Sequence, residues 1–259
     1  MMQAGKTFFC CLALWLGIHL APGANKPAPT SNEAGQKLAA ELRLMRPTEN
    51  LEVKGFLRIR DAQGKRTKVP FTYRFLSGDQ SWQSIYEIEA DGGIPAEKLA
   101  VAHTEGGPNR YWHSSANGTT PASAAGPVAL EGAKAMVPFA NSDFWLADLG
   151  LEFLHWPEQR IVHEAKIKMR KGRPCHVLES IDPGPNAAGY TRVRSWIDAK
   201  TGGVILAEAY GPDNQLMKEF EVGGLTKVSG QWELKDMEMR TAKTDSKTVL
   251  EFKYEQKAE

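Results

Sequence analysis

The side chains that most often carry catalysis or bind metals are scattered in this sequence. Five of its six histidines lie beyond residue 24, and their spacing matches no metal motif such as H-E-x-x-H: His103, His113, His155, His163 and His176. Ser114 and Ser115 lack the G-x-S-x-G context that exposes a nucleophilic serine. Acidic pairs such as Asp236 and Glu238 are two residues apart on strand-like segments, which is typical of a solvated face. We therefore predict no catalytic residue, metal ligand or cofactor, and a protein that is not an enzyme.

Cysteine chemistry is equally limited. Of the three cysteines, only Cys175 lies beyond the N-terminal segment, so the domain has no internal disulfide. In the strand-like run "RPCHVLES", alternation places Cys175 and His176 on opposite faces, and the two do not form a nucleophile–base pair. The pattern favours a buried, unreactive thiol, since a reactive one needs cationic neighbours and access.

The first 24 residues have the pattern of a cleavable secretory signal peptide. Lys6 provides a positive start, an apolar run follows at 7–20, and "APGA" offers small residues for cleavage after Gly23 or Ala24. The apolar run is too short to span a bilayer core of about 30 Å as a helix. We therefore expect a protein that is exported to the periplasm and is not held there by a lipid anchor.

The charge of the chain is balanced. It has 32 Lys and Arg against 31 Asp and Glu, a formal net charge of +1, and cleavage after residue 24 removes one lysine and no acid. Neutrality argues against a nucleic-acid partner, whose phosphates require a basic face. It also argues against adhesion to anionic lipid through charge alone.

Beyond a Pro-rich tether at 25–30, the sequence predicts one domain over 31–257. A helix begins this domain, because Thr30 and Glu33 have capping-box spacing. Its apolar stripe ends before Pro47 and consists of Leu38, Leu42 and Met45.

The apolar pattern then changes to a period of two, which is typical of antiparallel strands with one buried face. Short turns separate most segments, so neighbours in sequence are expected to pair as hairpins. We predict about ten or eleven strands and two helices, a mainly β fold of the α+β class. These are drawn from twelve candidate segments: 51–60, 69–75, 81–90, two short ones within 91–115, 159–169, 174–181, 189–198, 202–210, 216–224, 231–241 and 248–255. A long loop is expected at 116–133.

One apolar segment, "NSDFWLADLGLEFLHWP" from Asn141, interrupts the strands. The spacing predicts a helix that begins at Phe144, is capped by Asp143 and ends before Pro157. Such an apolar helix needs a partner surface, and the concave face of a curled sheet is the large one available.

Two interpretations of this helix remain open. It is either a plug within the core, or the lid or wall of a cavity that accepts an acyl chain or an apolar peptide. The aromatic residues on the strands have the same alternatives, core packing or cavity lining. The candidate ligand-binding residues are Phe144, Trp145, Leu149, Phe153 and Trp156 from the helix, and Phe71, Tyr73, Trp82, Trp196 and Trp232 from the strands.

Several motifs in order resemble the outer-membrane lipoprotein-sorting protein family, the LolA/LolB-like domains. The first is a Ser-Asp-Phe start with a later Asp-Leu pair, and the second is a "W-[IV]-D-x-x-T-G" hairpin. The third is a "G-x-W-x-x-x-x-M-x-M" strand leading into "T-x-L-x-F". The resemblance covers roughly 34–255 and is firmest over 139–252. The matching residues are Ser142, Asp143, Phe144, Asp148, Leu149, Trp196, Ile197, Asp198, Thr201, Gly202, Gly230, Trp232, Met237, Met239, Thr248, Leu250 and Phe252.

The resemblance implies an incomplete antiparallel β-barrel wrapped over the N-terminal and mid-chain helices, with a hydrophobic cavity between them. It implies a monomeric carrier that holds the acyl chains of lipoproteins, or another lipid, while they cross the periplasm. The implied partners are an inner-membrane transporter as donor and an outer-membrane acceptor. The alternative is a non-catalytic accessory or binding module of a membrane transporter or envelope complex.

Overall fold

The computed structural model describes residues 30–91, 93–116, 128–162, 168–182, 184, 189–228 and 231–254. The expected signal peptide, tether residues 25–29 and most of the expected 116–133 loop lie outside these residues.

The described residues form fourteen strands, more than the sequence predicts. Two short strands replace the long predicted segment at 159–169. A further short strand at 128–130 lies where the sequence predicts a loop. The strands are β1 (Leu51–Arg60), β2 (Arg66–Leu76), β3 (Ser81–Ile88), β4 (Glu97–Thr104), β5 (Arg110–Ser115), β6 (Val128–Leu130), β7 (Glu158–Ile161), β8 (Lys168–Arg170), β9 (Arg173–Ile181), β10 (Arg192–Asp198), β11 (Val204–Tyr210), β12 (Leu216–Val228), β13 (Gln231–Thr241) and β14 (Ser246–Lys253).

All strands belong to one antiparallel sheet in the order β6-β5-β4-β3-β2-β1-β14-β13-β12-β11-β10-β9-β7, and β8 pairs with β9. The expected hairpin neighbours therefore pair along β1–β6 and along β9–β14. One long-range pairing joins these two runs, because β1 lies beside β14 with Leu57 opposite Leu250. The edges β6 and β7 do not pair with each other, so the barrel is incomplete.

Helix α1 (Ser31–Arg43) covers one end of this sheet. Its predicted cap is present: the Glu33 amide donates to Thr30 Oγ1 at 3.2 Å, and the Thr30 amide donates to Glu33 Oε2 at 2.8 Å. The helix lies so close to β7 that a Cβ added at Gly35 would be 2.4 Å from the Gln159 carbonyl oxygen. The predicted stripe is correct at Leu42, which is buried, but Met45 lies beyond the helix end and is exposed.

The prediction of a continuous helix in the apolar segment 141–157, called the central segment below, is wrong. Only one turn, α2 (Leu146–Leu149), is α-helical, and a 3₁₀ turn follows at Glu152–His155. Leu151 separates them with a left-handed φ of 50°, which a continuing helix does not permit. The cap is also different, since the Trp145 amide donates to Asp148 Oδ2 at 2.7 Å and Asp143 lies in the preceding turn.

The central segment bridges the two halves of the core. Phe144 and Leu146, together with Phe139 just before the segment, pack with β1–β5 and β14. Phe153, Leu154 and Trp156 pack under α1 against β9–β11. Among the described residues, no helix is long and apolar enough to cross a membrane.

Candidate functional site

A cavity of about 380 Å³ opens where the end of α1 passes over the sheet. Strands β2, β3 and β4 form its floor, the chain from Leu42 to Pro47 forms one wall, and the end of the central segment forms the other. The lining residues are Ala40, Leu42–Pro47, Tyr73, Phe75, Trp82, Ser84, Tyr86, His103–Gly106, Leu149–Leu151, Leu154 and His155.

The floor of this cavity is aromatic and uncharged. Tyr73 and Tyr86 are opposite each other on β2 and β3, with ring centroids 5.0 Å apart. Burial raises the pKa of Tyr73 and raises that of Tyr86 further, so both phenols stay neutral. The Tyr86 hydroxyl donates to the Leu149 carbonyl oxygen at 3.3 Å, which ties the floor to the central segment.

Apolar side chains also surround the mouth of the cavity. Leu44, Met45 and Leu151 line it, and 47 %, 55 % and 40 % of their surfaces are exposed. Single exposed apolar residues are common, but three that line the same cavity favour a ligand with an apolar part.

A buried polar network supports the wall at Gly150. Asn109 donates to the Gly150 carbonyl oxygen at 2.7 Å, and the Tyr111 hydroxyl donates to Glu152 Oε2 at 2.8 Å. His103 Nδ1 lies 2.7 Å from Asn109 Oδ1. Burial raises the pKa of the Glu152 carboxyl, which its bonds to Tyr111 and Asn109 oppose. The network therefore positions the turn at Gly150–Glu152 and contains no nucleophile–base pair.

Hydrogen bonds fix the start of the central segment to the strands β12, β13 and β14. Asp143 accepts hydrogen bonds from Thr241 Oγ1 at 2.6 Å, from Thr248 Oγ1 at 2.7 Å and from the Ser246 hydroxyl. Lys218 Nζ donates to the Asp143 carbonyl oxygen at 2.6 Å and lies 3.7 Å from the Trp145 ring centroid. Burial lowers the pKa of Lys218 to about 8, and Asp148 and Asp143 oppose that shift.

Solved structures of other proteins share this architecture. A DUF1329 family protein from Desulfovibrio piger superposes with a TM-score of 0.69, at 17 % identity over 87 % of this chain and 92 % of that chain. A Vibrio parahaemolyticus structure, described as an outer membrane lipoprotein-sorting protein domain, gives 0.68, at 18 % identity over 86 % and 91 %. A LolA superfamily protein from Nitrosomonas europaea gives 0.58, at 15 % identity over 90 % and 96 %. The chain has the LolA/LolB-like fold.

Sequence comparison adds less than the fold does. A family model described as "Uncharacterized protein" matches residues 123–257, just over half of the chain, and the chain belongs to that family. No curated protein sequence matches it.

The fold brings three of the ten sequence-predicted site residues into the cavity: Tyr73 and Trp82 from the sheet, and Leu149 from α2. Phe71 lies beside them and meets Phe252 edge to face, with centroids 5.5 Å apart. Phe144 is core, and Trp145 stacks on Tyr190 at 4.6 Å. Phe153 and Trp156 are buried under α1.

The two remaining predicted residues lie elsewhere. Trp196 belongs to a cluster with Cys175 and Val177 on the opposite face of the sheet, where the Arg170 guanidinium lies 5.1 Å from its ring centroid. The side chain of Trp232 lies outside the described residues. Cys175 is buried and His176 is exposed, which confirms the prediction that they occupy opposite faces.

Sequence reasoning did not name Phe75, Tyr86, Leu42 or Leu154 as site residues, although they line the cavity. A signal existed for the first two. Because side chains alternate between the two faces of a strand, Phe75 lies on the same face as Tyr73, and Tyr86 on the same face as Trp82. Among the described residues, no group of three His, Cys, Asp or Glu side chains is arranged to hold a metal ion.

Proposed function

We propose that this protein is a periplasmic carrier that holds an acyl chain of a lipid or lipoprotein in the cavity between α1, the central segment and strands β2–β4. The observation that carries the proposal is the lining. Its floor is aromatic and neutral, its walls include Leu42, Leu149 and Leu154, and the exposed apolar side chains of Leu44, Met45 and Leu151 lie at its mouth beside Arg43 and Arg46. The N-terminal export pattern and the shared LolA/LolB-like fold support the same role.

The size of the cavity suits one chain. About 380 Å³ lies at the lower end of the range of about 300–1,000 Å³ for ligand sites. Each methylene that leaves water contributes about 0.8 kcal/mol, so a chain of modest length gains enough to offset the loss of its translational freedom.

A carrier must also release its cargo. The cavity is present while Asp143 and Lys218 hold the central segment in place. A ligand can therefore enter without displacing this segment. The cavity opens to water between Met45 and Leu151, and the chain enters and leaves through this mouth. Delivery between an inner-membrane donor and an outer-membrane acceptor is the proposed cellular role.

The test is native mass spectrometry of the protein recovered from the periplasm, followed by organic extraction of any bound molecule. The matched variants are Trp82→Ala and Trp196→Ala. Both remove a strand tryptophan, 7 % and 8 % exposed respectively, but only Trp82 lines the cavity.

We expect an acylated ligand on the parent protein, retained by Trp196→Ala and reduced at least about fivefold in Trp82→Ala, because an aromatic wall of the cavity is lost. Thermal unfolding of both variants controls for folding. A ligand-free mass that persists after incubation with acylated peptides and lipids would contradict the carrier role. Equal retention by both variants would place the ligand outside this cavity.

A further inference from the structure

Two arginines at the cavity mouth differ from the others in the described part of the chain. Arg43 and Arg46 are half-buried and line the cavity, yet neither forms an ion pair with a carboxylate of the described residues. Nine other arginines form such pairs: Arg58, Arg60, Arg74, Arg160, Arg170, Arg173, Arg192, Arg194 and Arg240. Arg66 and Arg110 also lack a carboxylate partner, but both are exposed on strands.

Backbone carbonyls hold the two guanidinium groups in place. Arg43 donates to the Leu154 carbonyl oxygen at 2.8 Å. Arg46 donates to the Gly78 and Asp79 carbonyl oxygens at 2.8 and 3.0 Å, and its Cζ lies 4.1 Å from the Trp82 ring centroid. A guanidinium has five N–H donors, so each group keeps donors that no described protein acceptor uses.

The other titratable groups at the mouth leave this positive charge unbalanced. Burial lowers the pKa of Arg43, and burial together with the charge of Arg43 lowers that of His155 to about 4. His103 also has a lowered pKa through burial, so both imidazoles are neutral near pH 7. The carboxyl residue at the rim, Glu105, is exposed and pairs with neither arginine among the described residues.

A partly buried cation without a counter-charge is costly, and that cost falls when a ligand supplies the anion. Arginine is also the side chain whose planar fork best matches a carboxylate or a phosphate. From this geometry, and resting on the proposed carrier function, we infer that the cavity selects a single-chain anionic amphiphile: its alkyl chain lies on the aromatic floor, and its carboxylate or phosphate group binds Arg43 and Arg46 at the mouth.

The test compares ligands that share one chain and differ in the head group. Dodecanoate, dodecyl phosphate and the neutral methyl dodecanoate are titrated below the micelle concentrations of the anions and the solubility limit of the ester, and intrinsic tryptophan fluorescence and calorimetry report binding. The variants are Arg46→Met, the double variant Arg43→Met with Arg46→Met, and the charge-retaining Arg46→Lys. Arg66→Met is the matched control, because Arg66 is exposed at the distant start of β2.

We expect the parent and Arg66→Met to bind an anionic ligand at least about tenfold more tightly than the methyl ester, as charge-assisted hydrogen bonds predict. The double variant should lose this preference while it still binds the ester. Arg46→Lys should keep more of the preference for anions than Arg46→Met does. Tighter binding of dodecyl phosphate than of dodecanoate would indicate a lipid phosphate as the natural anion, and the reverse order a fatty acid.

The failures are distinguishable. Equal binding of the ester and the anions would overturn the inference and leave the carrier function intact. An anion preference that survives in the double variant would overturn the assignment to these arginines. Binding of none of the ligands by the folded parent protein would overturn both the inference and the proposed function.

Discussion

We expect the carboxylate of Asp143 to contribute more to stability than any other single polar group of the central segment. It accepts three hydroxyl hydrogen bonds, one from Thr241 at the end of β13 and two from Ser246 and Thr248 of β14. Asp143→Ala removes all three, while the backbone bonds of this residue to Thr248 and Lys218 remain possible.

The magnitude follows from the burial of the donors. The Thr248 hydroxyl is fully buried, so without the carboxylate it loses a charge-assisted bond worth about 1.5–3 kcal/mol. Thr241 and Ser246 are half-buried, so in the variant their hydroxyls can bond to water instead. Their contribution to the loss of stability is therefore small. Relief of the desolvation of Asp143 itself offsets part of the loss. We therefore expect Asp143→Ala to lower the free energy of unfolding by about 3 kcal/mol.

The assay is urea unfolding, with the free energy extrapolated linearly to water and the slopes compared. Asp245→Ala is the control, because Asp245 also loses side-chain partners, Arg240 and Arg60, but is exposed; we expect a much smaller loss, to which its left-handed φ of 54° contributes. Thr248→Val completes a double-mutant cycle with Asp143→Ala, and we expect a coupling of about 1 kcal/mol or more. A loss for Asp143→Ala no larger than for Asp245→Ala, or an absent coupling, would refute the reasoning and leave apolar packing alone to hold the segment.

Two further predictions concern pH. Because burial lowers the pKa of Lys218 from 10.5 to about 8, the unfolded chain binds more protons between these values, and stability should rise with pH across that window. Lys218→Met should abolish the rise in urea unfolding between about pH 8 and 9.5, and parallel curves for parent and variant would contradict this. Burial acts to raise the pKa of Glu179, but Arg160, Arg192 and Arg194 lower it to about 2, so its charge contributes stability above about pH 4.5 that is lost as pH falls toward 2. Glu179→Gln should therefore lower the free energy of unfolding by about 2 kcal/mol at neutral pH, a value discounted because the arginines are partly exposed. This difference from the parent should shrink below pH 4.5, and a difference that stays constant with pH would be evidence against these ion pairs.

Features that depend on neighbouring residues were predictable. Strand β1 begins and ends at the residues predicted from its alternation, and the capping box of Thr30 and Glu33 is present. Both are local: a strand alternates its faces residue by residue, and a cap involves residues three apart. The short turns likewise predicted the hairpin order on both sides of the sheet.

The central segment shows where local patterns fail. Its apolar spacing is compatible with a helix over Phe144–Trp156, but Leu151 adopts a left-handed conformation and ends α2 after one turn. The predicted cap at Asp143 also fails because of distant residues. The Asp143 carboxylate accepts hydrogen bonds from hydroxyls of β13 and β14, about a hundred residues away, and Asp148 caps the turn instead.

By itself, the sequence determined the mainly antiparallel strand content, the N-cap of α1 at Thr30 and the apolar faces of the strands. Only the tertiary structure decided that β1 pairs with β14, that Trp82 faces the cavity while Trp196 faces away from it, and that Arg43 and Arg46 meet at the mouth. The physical reason is that alternation states which residues share a face of one strand. Which face encloses a cavity depends on long-range pairing and on the curl of the whole sheet.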